Sequence, residues 1–564
     1  TLLDNVASKL SSTLPAVQRL SDGRIFLQIV RSCLNLRPFF YLRNLPPSLT
    51  SPFATRCDDA IATCVAEYLC FPPDWRSAAH GGAYTRALAQ LRSPVREGGI
   101  GLTASQSVVH SSFFAGFSSA LTFLSNSSLR SYVDRVDDPL GVSNPSSSEH
   151  SFLRGHEQCR QALAAIGAGC VTSDVPPTLR PPNAIILPSA SEIFPLHAPP
   201  PEPPLIPAQR VLSRHVREHH PAWRPSKAVE GGSVYDVARV AHLRRSQTPF
   251  AAPSGPFSLA ARGDKHLLSQ TPLSWLLAVA GSPRFDSFPR AALALYFSMV
   301  LGVPIPRAFD RLATGNPDDP HTCPCGNPLD PHGHHRATCK QWHKSTATRG
   351  HDRVVNSIVD AARSCGTPCT SQPPLVPHHP HSRKHGDIYF EAHFLEGRSV
   401  VADVTIVHPV VGNPTSAGAA SVGTWQPRAL AARASAKLSK HKSFYSSIGL
   451  SFVPLVASTF GVLHEDFLRF LWLLSQPDSD HDLAVGEIRE AGASTPLRQL
   501  LFAKLRARAS IAAAYAAAMR LLAIPLDRRP LPSSASYVPD DPSFAHDSVL
   551  SGLPIGPVGG VMGA

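Results

Sequence analysis

Fourteen prolines lie between Pro176 and Pro225. Proline fixes φ and lacks an N–H, so a segment such as "HAPPPEPPLIP" cannot be helix and makes poor strand. The stretch reads as an extended or disordered linker, and it is the clearest domain boundary in the chain. With 564 residues the polypeptide is too long for one core and has room for about three or four domains. It begins at Thr1 rather than Met and therefore reads as part of a longer polypeptide.

On either side of the linker the pattern turns helical. "RIFLQIVRSCLNLRPFFYLRNLPP" has apolar residues at helical spacing and stops at Pro46 and Pro47. "DDAIATCVAEYLCFPP" repeats the device, and "REGGIGLTASQSVVHSSFFAGFSSALTFL" is a glycine turn leading into a helix. "TPLSWLLAVAGS", "PRAALALYFSMVLGVPIP" and "RGHDRVVNSIVDAARSC" are further helices after the linker. "HGDIYFEAHF" and "RSVVADVTIV" read as strands joined at Glu396 and Gly397. A helix over about 427–447, the strand "GLSFVPLVA" and a long helix "LRQLLFAKLRARASIAAAYAAAMRLLAI" follow, and then a disordered tail.

Lys and Arg exceed Asp and Glu by 53 − 41 = 12, which favours phosphate-rich partners or an anionic surface. No signal-peptide pattern opens the chain, and no apolar run reaches the roughly 20 residues of a spanning helix. "LRFLWLLS" at 468–475 is a core helix, because it is short and follows Glu465 and Asp466. Eleven mostly scattered cysteines argue against a disulfide framework and for a reducing compartment.

"CPCGNPLDPHGHHRATC" at 323–339 concentrates thiols and imidazoles, the usual zinc donors. Cys323 and Cys325 can bind from one turn relieved by Gly326, and Cys339 is a third donor. His332, His334 and His335 compete for the fourth place. His335 has the best spacing: it stands one helical turn before Cys339, with Gly333 able to supply the preceding turn. Four protein donors make a structural site, one that holds together a module with little core of its own.

Asp387 and Asp403 each sit among β-branched and aromatic strand residues. A buried charge needs a partner, and two carboxylates on adjacent strands can hold Mg²⁺. The alternative is a pair of solvated edge-strand acids. In "RALAARASAKLSKHKSFY", Lys437 and Lys440 share a helix face, while Lys442 points elsewhere but stands near Tyr445.

The order of these motifs resembles the C-terminal half of the polyprotein of non-LTR retrotransposons that carry a restriction-like endonuclease. There a CxC…HxxxC knuckle precedes a nuclease with a "PD" strand, a "DVT" strand and a helix bearing lysine, then tyrosine. Here the counterparts are Cys323, Cys325, His335 and Cys339, then "HGDI", "ADVTIVHP" and "KLSKHKSFY". "LQIVRSCLNLRPFFYLRNLPP" and "GGIGLTAS" are similar to the thumb and connecting helices that follow a reverse transcriptase palm. The resemblance covers residues 1–125 and about 270–475. Two departures stand out: Gly386 replaces the proline, and Thr405 occupies the place of the lysine usual in PD-(D/E)xK nucleases.

Pattern and resemblance together imply an α+β multidomain chain, the linker and tail being read from composition alone. Its parts are a thumb-like helical region over 1–125, a partly helical then Pro-rich linker over 126–250 and a helical segment over 251–320. A zinc knuckle over 321–345, a PD-(D/E)xK-like α/β nuclease over 346–480 and a terminal helix with tail over 481–564 complete it. The resemblance further implies Mg²⁺-dependent nicking of target DNA to prime reverse transcription. Asp387 and Asp403 would hold the magnesium, and one of Lys437, Lys440 and Lys442 would stabilise the attacking water or the phosphate charge. Zn²⁺ would be structural, Arg428 and Arg433 would contact DNA, and Tyr445 would either touch DNA or pack behind its helix as a core tyrosine. Expected partners are DNA, element RNA and the polymerase portion of the same polyprotein, in the nucleus and without a membrane. No YADD-like aspartate pair occurs, so polymerase activity is not carried over. The alternative is a catalytically decayed nucleic-acid-binding fragment of a retroelement. His351 and Asp352 stay outside the catalytic set, with Asp352 read as a helix N-cap. Cys365 and Cys369 read as ordinary core or loop thiols.

Overall fold

The computed structural model describes residues 2–125, 170–172, 185–187, 234–244, 272–277, 287–306, 323, 325–327, 329–341, 344–371, 386–395, 398–411, 424–475 and 494–522. The expected tail disorder and most of the Pro-rich linker lie outside these residues.

The N-terminal helices are α1 (Leu2–Gln18), α2 (Gly23–Ile29), α3 (Arg37–Asn44), α4 (Pro47–Tyr68), α5 (Ala83–Arg92) and α6 (Ser105–Ser125). Asp22 caps α2 by accepting from the Arg24 and Ile25 N–H groups at 2.8 and 3.3 Å. The helical run after α2 is interrupted by a π-helical turn, Val30–Leu34. Leu45 is extended, as a residue before proline should be, and Pro47 opens α4 at a position that needs no N–H. Asp58 is buried and caps α6 through the Ser105 and Gln106 N–H groups at 2.7 and 2.9 Å.

Two parallel segments, β1 (Cys170–Thr172) and β2 (Ile185–Leu187), precede α7 (Val234–Leu243) and the apolar α8 (Arg290–Leu301). Buried Arg239 of α7 donates to Gln90 Oε1 of α5 at 2.5 Å and to the Val300 carbonyl of α8, and meets Asp236 at 3.2 Å. This crossing demands Gly302: its φ is +66° and a Cβ there would lie 2.7 Å from Arg239 Nε.

After the short helix α9 (His334–Thr338) comes α10 (Lys344–Ser364), and then the main sheet. Its strands are β3 (Cys369–Ser371), β4 (Ile388–Leu395), β5 (Arg398–Val407) and β8 (Ser451–Ser458), in the order β3-β4-β5-β8. β5 pairs antiparallel with β4 and parallel with β8. A two-stranded ribbon, β6 (Val410–Val411) with β7 (Thr424–Trp425), and helix α11 (Ala429–Ser447) lie between β5 and β8 in sequence. Helices α12 (Glu465–Leu474) and α13 (Ser494–Leu522) follow. No helix among the described residues is long and apolar enough to cross a membrane. α12, expected as a core helix, buries Phe467, Leu468, Phe470, Leu471, Trp472 and Leu474.

There are two principal cores. One gathers the N-terminal helices with α8; the other fills the face of the sheet carrying Ile388, Val400, Ala402, Val404 and Val453. α13 serves both: Ile511, Ala514, Tyr515 and Ala518 enter the first, and Ala509, Ala512, Ala513 and Ala516 enter the second. The opposite face of β5 carries Val401, which packs with Tyr445 of α11 and Phe452 of β8.

Buried imidazoles set an acid limit on this fold. His242 lies against the rings of Trp425 and Phe460, and burial pushes its pKa down to about 4. His408 meets His334 and Thr459 at 3.0 and 2.7 Å and is held well below the ordinary range, first by burial. Both folded values lie below the unfolded value of about 6.5, so the unfolded chain binds more protons in between. This contribution to stability is present above about pH 6.5 and lost as the pH falls. The urea midpoint followed by tryptophan fluorescence should drop when the pH is lowered from neutral to acidic, and His242→Phe should narrow that drop.

Candidate functional site

The knuckle is built from local turns. The Cys323 carbonyl accepts from the Gly326 N–H at 2.8 Å, and Gly326 takes φ +84°. Asp330 holds the second half: Oδ1 accepts from the His332 and His334 N–H groups at 3.0 Å each, and Oδ2 accepts from His335 N–H at 2.7 Å. One helical turn then places Cys339 over His335, with the Cys339 N–H donating to the His335 carbonyl at 2.8 Å. Gly333, at φ +77°, lies so close to Ile305 and Leu521 that a Cβ would come within 2.6 and 2.8 Å of their methyl carbons.

Donor atoms of Cys323, Cys325, His335 and Cys339 all lie within 4.8 Å of one another. Cys323 Sγ is 3.6 Å from Cys339 Sγ, and Cys325 Sγ is 3.2 Å from His335 Nε2. A tetrahedral zinc with sulfur at about 2.3 Å has donor–donor edges of roughly 3.5–3.8 Å; the Cys323–Cys339 edge falls in that range and the others need only small shifts, so the four could hold an ion of that kind. The competing histidines lie outside this group. His334 is buried and directs Nδ1 to His408, while the His332 ring lies near Tyr235. This is the one group of three or more such donors among the described residues.

The two acids come from the sheet. Asp387 stands one residue before β4, where its N–H donates to the Ala402 carbonyl at 2.9 Å. Asp403 lies within β5, between β4 and β8, and is 7% exposed. A solvated edge-strand acid is thereby excluded for Asp403. The side-chain alternation of β5 sets Asp403 on the Val401 face, which α11 covers.

Lys437 Nζ of α11 lies 2.5 Å from Asp403 Oδ2. Lys437 is thus the cationic partner of this buried carboxylate oxygen. Asp387 Oδ2 accepts from the Val404 N–H at 2.6 Å and meets His351 Nε2 at 3.1 Å. Burial pushes the Asp387 pKa up, but His351, the Val404 N–H and Asp403 together bring it below the usual carboxylate range. For Asp403 the balance reverses. Burial and the neighbouring Asp387 carboxyl outweigh Lys437 and raise its pKa. The two carboxyls thus act on each other directly, with a cationic group beside each. Two neighbouring, largely buried carboxyls offer the oxygen donors that a hard divalent cation prefers.

Other expected residues fall in different places. Arg433, Lys440 and Lys442 are exposed on α11, and Arg428 is exposed at the position just before it. Tyr445 is not available to DNA: it is 3% exposed and stacks on Phe452 at 5.3 Å. Its hydroxyl bonds the Gly386 backbone instead, which ties α11 to the strand entry beside Asp387. Asp352 is no N-cap, because α10 begins at Lys344; its carboxylate meets His351 Nδ1 at 3.3 Å. Cys365 and Cys369 are free thiols. The contact of His351 with Asp387 went unread in the sequence. Its one signal was a polar residue on a helix that the resemblance sets near the acids.

Neither a protein-family model nor a curated protein matches this chain.

Two outcomes are expected. Purified protein should carry about one zinc per chain by elemental analysis, and Cys339→Ser should lose it. Gly386 has no room for a side chain, since a Cβ would lie 2.1 Å from Val401 Cγ1. Gly386→Ala should cost about 1–3 kcal/mol in chemical unfolding through overpacking. Gly386→Pro, which restores the residue of the resembled family, should be at least as destabilising because it also removes the N–H.

Proposed function

We propose that this chain is the DNA endonuclease portion of a non-LTR retrotransposon polyprotein, nicking target DNA with Mg²⁺ to prime reverse transcription. The observation that carries the reading is the placement of Lys437 on Asp403, with the Asp387 carboxyl alongside. Two acids alone are a common strand feature; two acids with a lysine from the covering helix form a phosphodiester-cleaving set.

Held by Asp387 and Asp403, the magnesium would supply Lewis-acid activation of the scissile phosphate and of a water. The protein's residues do the rest. Asp387 is pinned by backbone and side-chain donors, so its carboxylate keeps one orientation. Lys437, half-buried beside Asp403, offers a fixed positive charge where the phosphate gains negative charge. Thr405 leaves the usual lysine place without a cation, and α11 provides one from a different element. Arg428, Arg433, Lys440 and Lys442 present exposed positive charge along α11 for the DNA backbone, giving salt-dependent grip without base choice. In this reading DNA and element RNA are the partners, the polymerase portion acts from the same polyprotein, and the place of action is the nucleus.

A supercoiled-plasmid nicking assay with Mg²⁺ tests the reading. The parent should nick, Asp403→Ala should not, and Lys437→Ala should be slower by about 10²–10³-fold. DNA binding in EDTA should be the same for parent and Asp403→Ala. Equal nicking by both proteins would remove the acid pair from the chemistry. Binding without any nicking would favour the decayed nucleic-acid-binding fragment.

A further inference from the structure

We infer that His351 is a positioning residue for the metal site, orienting Asp387 so that one defined carboxylate oxygen faces the cation. The inference deepens the nuclease reading and rests on the acid pair being its metal site. His351 comes from α10, thirty-six residues before Asp387, and reaches it with Nε2 at 3.1 Å from Oδ2. The Val404 N–H donates to the same oxygen at 2.6 Å. Two donors from different elements therefore converge on Oδ2 and leave Oδ1 untouched by either. Val404 follows Asp403 in β5, so the bond pins the Asp387 carboxylate directly beside the second acid.

The imidazole is itself constrained. Its Nδ1 meets Asp352 Oδ1 at 3.3 Å, so both ring nitrogens are engaged and the ring plane is set. Helix α10 is held close by its neighbour: Gly350, the residue before His351, lies where a Cβ would be 2.9 Å from Ala516 Cβ of α13. A string Asp352–His351–Asp387–Val404 N–H thus links the alanine-packed helix pair to the metal-facing carboxyl. Hydrogen-bonded partners of metal-ligating carboxylates do this work in general, and losing one typically costs 10–100-fold in metal affinity. His351 is partly exposed and acts through Asp387, not on the phosphate.

The test is direct metal titration of the full chain by calorimetry with Mn²⁺ as the probe, on the parent, His351→Ala and His351→Gln. Thermal unfolding of each variant accompanies it. His351→Ala should weaken Mn²⁺ binding by about 10–100-fold. His351→Gln, whose side-chain amide can still donate to Asp387, should recover most of the loss. A merely structural role would lower the unfolding temperature without this Ala/Gln split in affinity. Equal affinity of parent and His351→Ala would overturn the inference, and so would equal loss in both variants. The nuclease reading is judged separately by plasmid nicking. A parent that nicks while His351→Ala binds Mn²⁺ normally sinks only the positioning role. A parent that binds no Mn²⁺ overturns the positioning role, and plasmid nicking alone then decides the nuclease reading.

Discussion

The parallel pairing of β5 with β8 is the constraint on which the candidate site depends. Asp403 pairs with Pro454 and Val404 with Leu455, with both strands running the same way. Parallel neighbours cannot be joined by a tight turn, so the chain must cross over a face of the sheet before returning. That crossover contains α11, and α11 covers the face on which Val401 and Asp403 point. A lysine on its inner side is therefore delivered to Asp403 by topology. Thr405 carries no cation, and the crossover is what brings Lys437 to Asp403. Pro454 is compatible with this pairing because β8 is at the sheet edge, where a missing N–H is tolerated.

A second constraint holds the sheet against the rest of the molecule. α13 presents small side chains on both flanks, so α8 and α10 approach it closely from different sides. Alanine at these positions contributes less burial than leucine but permits close helix contact and loses little side-chain entropy. The close approach of Gly350 to Ala516 lies next to His351. Packing in the second core therefore bears on the geometry around Asp387.

The knuckle depends on a different principle. Its backbone is organised by Asp330, whose two oxygens collect three N–H groups, and by two glycines at positive φ. Apart from buried Cys323, its donors are only partly buried, so an ion would supply cohesion that apolar burial does not. His334, rejected as a donor, instead joins the buried His408–Thr459 pair at the end of β5.

Much of this was legible in the sequence, because it is encoded over short spans. The Cys–His spacing, the glycine turns, the alternation around Asp403 and the helical pattern of 429–447 each follow from local periodicity or turn chemistry. The same local logic misplaced Asp352, since the pattern before it did not reveal that the helix starts at Lys344. It also left Lys437, Lys440 and Lys442 undivided, because helical spacing defines faces but not which face meets the sheet. Sequence leaves Tyr445 open between a DNA contact and a core residue, and the stacking on Phe452 decides for the core. His351 meets Asp387 only because two helices and a sheet close on one another across thirty-six residues of chain. The donor types and strand acids of the candidate site were thus set by the sequence over short spans. Which of them touch was decided by long-range packing, since contact between distant segments depends on the angle and separation of whole elements.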